Sequence, residues 1–319
     1  MQQYMMRRLF LFMPTLFLVS LTLFLILRIV PGDPALLVLA GPEGEGSFTE
    51  EEYQNMRERL GLNDPVYIQY FTWMYGMVTL DWGNSIQTNE KVTDILKRRY
   101  PVTLQLALLS FVVISTIGIP IGILAAVKQD SWIDYVFRSL AILGLAMPTF
   151  WLALLIVLAL SMWFNWIPPL EFVNLWEDPR TSITQLIFPA VALGLSSQGT
   201  TMRMSRSQLL EVMREDYVRT ARAKGLRERV VILRHAVRNA MLPVLTILGT
   251  LLGVLLGGTI VIEVVFNIPG LGRAVINAVY FLDQPVLQVI VVGFTLIFLV
   301  LNLLVDMLYA VIDPRIRYS

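Results

Sequence analysis

Between Val102 and Val127 the chain runs for 26 residues without a single charge. In water such a run has nothing to bury against. As a helix it is long enough to cross the hydrocarbon of a bilayer, which takes about 20 mostly apolar residues. Five further stretches qualify: Leu9–Val30 with one charge at Arg28, Ser139–Phe164, Ile183–Met202, Leu242–Ile262, and Val286–Val305, which continues through Asp306 towards Ile312. Ile183–Met202 contains the polar "LSSQGTT" and is included because the charges flanking it require a crossing there. The expectation is an all-α integral membrane protein with six transmembrane helices. Composition agrees, with 56% hydrophobic and 15% charged residues and a mean hydropathy of +0.65, where a soluble domain is about a quarter charged. Met1–Val30 is read as a retained helix, because its apolar run exceeds the ~7–15 residues of a signal peptide.

Net charge is +1, so orientation comes from how the charge is distributed. Lys and Arg in short loops mark the cytoplasmic side. Arg7 and Arg8 precede the first span, the 203–238 segment holds ten basic and four acidic residues, and the tail adds Arg315 and Arg317. The 165–182 and 263–284 segments each hold one basic residue and more acids than bases, and 31–101 holds six basic and eleven acidic. Both termini and the basic loop are therefore expected in the cytoplasm, and the long segment after the first helix outside.

That outer segment carries its own structure. Thr49 followed by Glu52 predicts a capping box opening the helix "EEEYQNMRERLG", with Tyr53, Met56 and Leu60 as a narrow apolar stripe and Gly61 as its stop. Tyr67, Tyr70, Phe71, Trp73 and Tyr75 follow, a density that suggests a helix at the headgroup level. It serves either as a docking cap for an external partner or as a lid packed on the bundle.

In the basic segment, Leu226, Val230, Leu233, Val237 and Ala240 form one apolar stripe at helical spacing. Upstream, Ala221 and Gly225 share a face with Ala223 nearby, ringed by Arg219, Arg222 and Lys224. Small residues allow close backbone approach and the cations can pair with acids, which suits insertion into a cleft on another protein. Anionic lipid headgroups fit the same charge, and periodicity alone leaves both open.

Several chemistries are excluded. There is no cysteine and only one histidine, His235, so thiolate and all-histidine metal sites cannot form within the chain. No G-x-x-x-x-G-K-[ST] run exists to cradle phosphates; "AKGLRE" and "PGLGRA" lack the spacing. If ATP drives this protein, another chain must bind it. Arg28, Glu263 and Asp306 lie near span ends, within expected reach of water, so no mid-membrane charge marks an ion relay. Gly249, Gly253 and Gly257 repeat at i, i+4, i+8 as a small-residue packing face, directed either within the chain or to a second subunit. Gly118 and Gly122 flank Pro120, which is expected to kink the second span.

"DYVRTARAKGL" resembles the cytoplasmic EAA loop of ATP-binding cassette importer permeases, in the form used by the peptide/nickel branch. "PGDP" after the first span, "DWGNSI" and "PVTLQLALLS" around the start of the second, "MPTFWLALLI" in the third, "VVFNIPGLGRAVINAV" after the fifth and the tail "DPRIR" resemble the same branch in order. Arg219 and Thr220 depart from the acidic first and alanine second positions of the general pattern, and Leu242–Pro243 comes later than in sugar permeases. A glutamate-based contact with an ATPase is therefore not carried over.

The resemblance implies the type-1 importer permease fold, with a core over 101–310, a first helix over 1–30, a structured external loop over 31–100 and a cytoplasmic tail over 311–319. It implies a coupling loop near 203–241 in which Arg219, Thr220, Ala221, Arg222, Ala223, Lys224 and Gly225 engage an ATPase groove. It further implies a prokaryotic cytoplasmic-membrane subunit that forms half of a path for peptides, without covalent chemistry of its own. The implied partners are a second homologous permease subunit, two ATP-binding cassette ATPases that hold the ATP and Mg, an external solute-binding protein and membrane lipid, with no nucleic acid. Nickel chelates, glutathione and some sugars are alternative cargoes of the same machinery. A self-contained ion-coupled carrier or a membrane scaffold is the alternative in a different class.

Overall fold

The computed structural model describes residues 2–29, 33–40 and 46–312. In chain order it forms α1 (Gln2–Ile29), α2 (Pro34–Ala40), α3 (Glu50–Arg59), α4 (Val66–Thr79), α5 (Val92–Val113), a π-turn (Ile114–Gly118), α6 (Ile119–Val127), α7 (Trp132–Ala146), α8 (Thr149–Phe164) and α9 (Pro179–Val212). Next come α10 (Asp216–Ala223), α11 (Glu228–Val230), a second π-turn (Val231–Ala236), α12 (Val237–Val265), α13 (Leu271–Tyr280) and α14 (Gln284–Ile312). Among the described residues the fold is helical, with one isolated β-bridge between Asn84 and Lys91. The side chains of Arg7, Arg8 and Asp306, the first two residues of "PGDP" and the whole of "DPRIR" lie outside what is described.

Four stretches combine the length and apolarity of a span: Phe10–Ile29, Val92–Val127, Glu228–Val265 and Gln284–Val305. The expected span Ser139–Phe164 is not one straight helix. Its residues belong to α7 and α8, which meet at 106° across Met147–Pro148. Proline has no N–H to continue the ladder and pushes the preceding residue out of the helical region; Met147 accordingly takes φ −81°, ψ 128°. Counted as one broken span the pair makes a fifth. Ile183–Met202 lies inside the 34-residue α9, about 51 Å long at 1.5 Å per residue, but falls short of the others in apolarity.

The chain divides into two compact units. The first comprises Thr103–Ile268 and the chain from Val300 on, and α9 is its axis, touching α6, α7, α8, α12 and the first π-turn. The polar "LSSQGTT" is a packing surface. A Cβ on Gly199 would stand 2.5 Å from the Ala141 carbonyl oxygen, and one on Gly194 2.9 Å from Val113. Across the same contact, a Cβ on Gly122 would stand 2.6 Å from the Met202 carbonyl and 2.7 Å from the Ser205 Cβ. Thr201 and Ser205 are fully buried on this face, and their hydroxyls have no hydrogen-bond partner in this state. Small residues let membrane helices approach backbone to backbone. Gly122→Ala is expected to destabilise the protein by about 1–3 kcal/mol through overpacking, read as a lower melting midpoint in detergent. The first π-turn absorbs Pro120, so the second span widens there and does not break.

Glu263 does not reach water within the chain, contrary to its place near a span end. It is fully buried, and Thr103 Oγ1 donates to its Oε1 at 2.6 Å. Thr103, on α5, thus supplies a hydroxyl to the carboxylate at the end of α12.

The second unit comprises Gln2–Val102 and Pro269–Leu299. Val92, Ile95, Leu271, Ala274, Ala278, Val286, Val289 and Ile290 form its core. The "DWGNSI" loop is fastened by Asp283, which is 2% exposed and accepts hydrogen bonds from Ser85 Oγ and the Ile86 N–H. The capping box forms as expected, Thr49 Oγ1 accepting from the Glu52 N–H and the Glu52 carboxylate from the Thr49 N–H, and Gly61 follows at φ +64°. None of α3 is fully buried; Tyr53 acts through its hydroxyl, which donates to Asp33 Oδ2 at 2.7 Å.

Burial alone would raise the Asp33 carboxyl, but the hydrogen bonds from Tyr53 and the Ala35 N–H, with the Arg57 charge beside it, outweigh that and hold it below the usual range. A carboxyl depressed in the folded state stabilises fully above its unfolded value of about 3.9 and loses that contribution as pH falls through the folded value. The protection of amide hydrogens over 46–60, taken relative to the intrinsic exchange rate at each pH, is therefore expected to be unchanged from neutral pH to about pH 4 and to fall below it, with Asp33→Asn removing the part of that fall that Asp33 carries.

Candidate functional site

The residues singled out by the basic segment are brought together at one end of α9. This segment is mostly helix: α9 continues to Val212, α10 follows after a short turn, and α11 with the second π-turn leads into α12. Val218 and Ala221, three apart on α10, are buried with Val231 and against Val212. Ala221 was expected to be a close-approach residue for a partner. It is 6% exposed and faces its own chain, because a helix of eight residues has one inner face and Ala221 lies on it beside Val218. The outer face carries Tyr217, Thr220, Ala223 and Lys224, all exposed.

Of the three expected rim cations, Arg219 is exposed beside Asp216, at 3.4 Å. Arg222 is turned inward and ties α10 to α11, its Nη2 donating to Glu228 Oε1 at 2.8 Å and its Nε at 3.2 Å. Lys224 caps the C-terminus of α10, and Gly225 follows at φ +77° with nothing within 4 Å of where a Cβ would stand. Within the chain, glycine is needed there for its backbone: φ near +77° is costly for most side chains. Tyr217 is joined to α12 by Asn239, whose Nδ2 donates to its hydroxyl at 2.7 Å.

The stripe expected at Leu226, Val230, Leu233, Val237 and Ala240 is displaced. Leu226, Val230 and Leu233 are 38–54% exposed. The buried line is Val231, Ala236, Ala240, Val244 and Leu248, with steps of five, four, four and four. The step of five is the π-turn, whose i→i+5 bonding rotates the inner face by a residue relative to a 3.6-residue projection.

Behind α10, Asp134 on α7 and Arg206 on α9 form a bidentate ion pair, Nε to Oδ1 at 2.7 Å and Nη2 to Oδ2 at 2.6 Å. The Asp130 N–H adds a third donor at 3.1 Å, and the Asp134 side chain is wholly buried. Arg206 also borders a cleft of about 510 Å³ with Leu210, Arg214, Glu215, Asp216 and Arg219. The α10 helix is thus clamped to α9 by apolar contact, to α12 by a hydrogen bond and to α11 by an ion pair. A force applied to its outer face would reach two long helices through short, rigid connections. Sequence reasoning missed Asn239, Asp134 and Arg206, which carry no local pattern.

The glycine repeat divides. A Cβ on Gly249 would run into Val305 on α14, while Gly257 faces open space and a Cβ on the neighbouring Gly258 would stand 3.1 Å from the Leu193 side chain; Gly253 is half-buried. His235 lies half-buried in the second π-turn, and no cluster of three metal-ligating side chains occurs among the described residues.

Comparison with known proteins matches residues 118–318 to the family of binding-protein-dependent transport system inner membrane components, and residues 1–107 to the N-terminal membrane component of such systems. The chain is 39% identical over 319 residues, the whole of both chains, to the glutathione transport system permease protein GsiC of Escherichia coli strain K12. It is 37% identical, over 99% of both chains, to the dipeptide transport system permease protein DppB of Alkalihalophilus pseudofirmus.

Proposed function

This chain belongs to the family of binding-protein-dependent transport system inner membrane components, and from that premise we propose that it forms half of the transmembrane path of an ATP-driven importer of short peptides. It is a multi-pass permease subunit of an ABC transport system. The resemblance over its whole length to dipeptide and glutathione permeases carries the substrate class, since both cargoes are short peptides.

The division of labour follows from the chemistry of the chain. With no phosphate-cradling loop in the chain, ATP and Mg belong to two separate ATPase subunits, and this chain holds no cofactor. A solute-binding protein delivers cargo, a second homologous permease completes the path, and both termini face the cytoplasm. The first helix (1–30), external loop (31–100), core (101–310) and tail (311–319) have separate duties. Within the core, the segment from Arg219 to Gly225 is the element that an ATPase engages. Its contact is through Tyr217, Thr220, Ala223 and Lys224 on the outer face; Ala221, Arg222 and Gly225 fix its shape. Gly249, Gly253 and Gly257 serve helix packing, and the outward Gly257 suits a neighbouring subunit.

Expressed with its neighbouring genes, the chain is expected to co-purify with ATPase subunits and, in proteoliposomes containing ATP and the binding protein, to accumulate labelled di- and tripeptides. Peptide uptake by the chain alone, driven by an ion gradient, would overturn the proposal in favour of a self-contained carrier. ATP-driven uptake of a nickel chelate with no peptide uptake would keep the machinery and replace the cargo.

A further inference from the structure

The helix α4 was expected at the headgroup level. Its inner face packs on the middle of α1, with both helices in the same compact unit. Tyr70 is 5% exposed, its ring lies edge-on to Phe17 and Phe24 at 6.1 and 5.4 Å, and its hydroxyl is 2.8 Å from Ser20 Oγ. Trp73 stacks on Phe24 at 5.9 Å. The apolar window of α1 is the 20 residues Phe10–Ile29, about 30 Å at 1.5 Å per residue, which matches the hydrocarbon thickness. Ser20 stands at the middle of that window and Phe24 about 7 Å below its outer end.

The opposite face of α4 is bare. Tyr67, Phe71, Tyr75 and Val78 are 63–75% exposed and recur at helical spacing. From Val66 to Thr79 there is no charge. The same bare character continues on α1, where Leu18, Leu25, Ile26 and Ile29 are 43–80% exposed. The polar groups of the entry turn are satisfied internally: Gln69 Nε2 donates to the carbonyls of Leu62 and Asp64 at 3.2 and 2.7 Å, and Gln69 Oε1 accepts from Arg28. Internal satisfaction of this kind is what a backbone needs to sit in hydrocarbon.

We propose that α4 is immersed in one leaflet of the bilayer, on the side where α1 ends, with Tyr67, Phe71, Tyr75 and Val78 contacting lipid acyl chains. The first span and α4 together then form a wedge that occupies the full thickness of the membrane at α1 and half of it at α4. This claim does not depend on the cargo or on ATP.

The chain has no native cysteine, so each single-cysteine variant adds one thiol to it, and the parent complex labelled in parallel gives the background from its partner subunits. Phe71→Cys, Tyr75→Cys and Val78→Cys alter side chains that face away from the packed side of α4; Asn55→Cys on the exposed face of α3 is the aqueous control. Each is purified with its partner subunits into lipid nanodiscs, which leave both membrane faces open to reagent, and labelled with bimane. Lipids brominated along the acyl chain are expected to quench bimane at 71, 75 and 78 and not at 55. A membrane-impermeant thiol reagent is expected to react on the order of tenfold more slowly at these three positions than at 55, as for thiols within hydrocarbon. Prompt reaction at 71 and 75 would show the stripe in water, and slow reaction without lipid quenching would show a protein partner covering it. Either result overturns the proposal. Loss of peptide transport with quenching intact would leave it standing, so it is tested separately from the function.

Discussion

A valine at Gly225 is expected to reduce uptake by tenfold or more while the chain still inserts and keeps its helices. Gly225 ends α10 at φ +77° with empty space around it, so the added side chain meets no atom of its own chain. The cost is in the backbone, about 1–3 kcal/mol for a residue forced into a sparsely populated region. That is enough to shift a two-state equilibrium by roughly tenfold to a hundredfold without unfolding a membrane protein. The turn instead relaxes, and the outer face of α10 with Tyr217, Thr220 and Ala223 swings away from the geometry that its clamps to α9 and α12 define. Gly225→Asn is expected to retain most activity, because asparagine tolerates the left-handed region. Uptake and stimulated ATPase turnover, measured beside the amount of chain in the membrane, separate the cases. Parental transport by the valine variant, or equal damage from asparagine, would remove the turn from the mechanism.

The second large effect belongs to Arg206 and Asp134. Removing one member of a buried pair leaves an uncompensated charge, a cost of about 3–5 kcal/mol. Asp134 has no exposed side-chain surface, so Arg206→Gln is expected to lower the melting midpoint in detergent sharply and to deplete the chain from the membrane. Asp134→Asn should do nearly the same. Joined, the two substitutions restore a neutral hydrogen-bonding pair and are expected to recover most of the loss, since a buried ion pair is often no better than a neutral replacement. Singles that melt with the parent would show that water already reaches the carboxylate.

The spans and the capping box were legible because they rest on local rules: the length of hydrocarbon to be crossed, and the three-residue spacing of Thr49 and Glu52. The break at Met147–Pro148 was written in the sequence as a proline but hidden by the apolar residues on both sides. The face that α10 turns inward was not legible, since Val218 and Ala221 become an inner face only once α9 and the second π-turn are placed beside them. Glu263 looked like a charge at a span end, and only helix packing reveals its burial. The partner of Asp134 lies 72 positions away on another helix, with nothing local at either residue to announce it. The packing of α4 on α1 was not legible either: aromatic density announces an apolar helix, while the partner of Tyr70, Ser20, lies 50 positions away.

The second π-turn leaves a one-residue surplus between the basic segment and the long helix that follows. Excising one residue from 231–236 would restore ordinary winding with Val231 and Ala236 still on one face, at i, i+4. Winding all six residues as ordinary α-helix would instead put everything before them out of phase with α12 by about 100°, the rotation of one helical residue. Val231 would then swing off Val218, and Tyr217 would lose Asn239. The surplus residue therefore acts as the key that indexes one stretch of the polypeptide against the next.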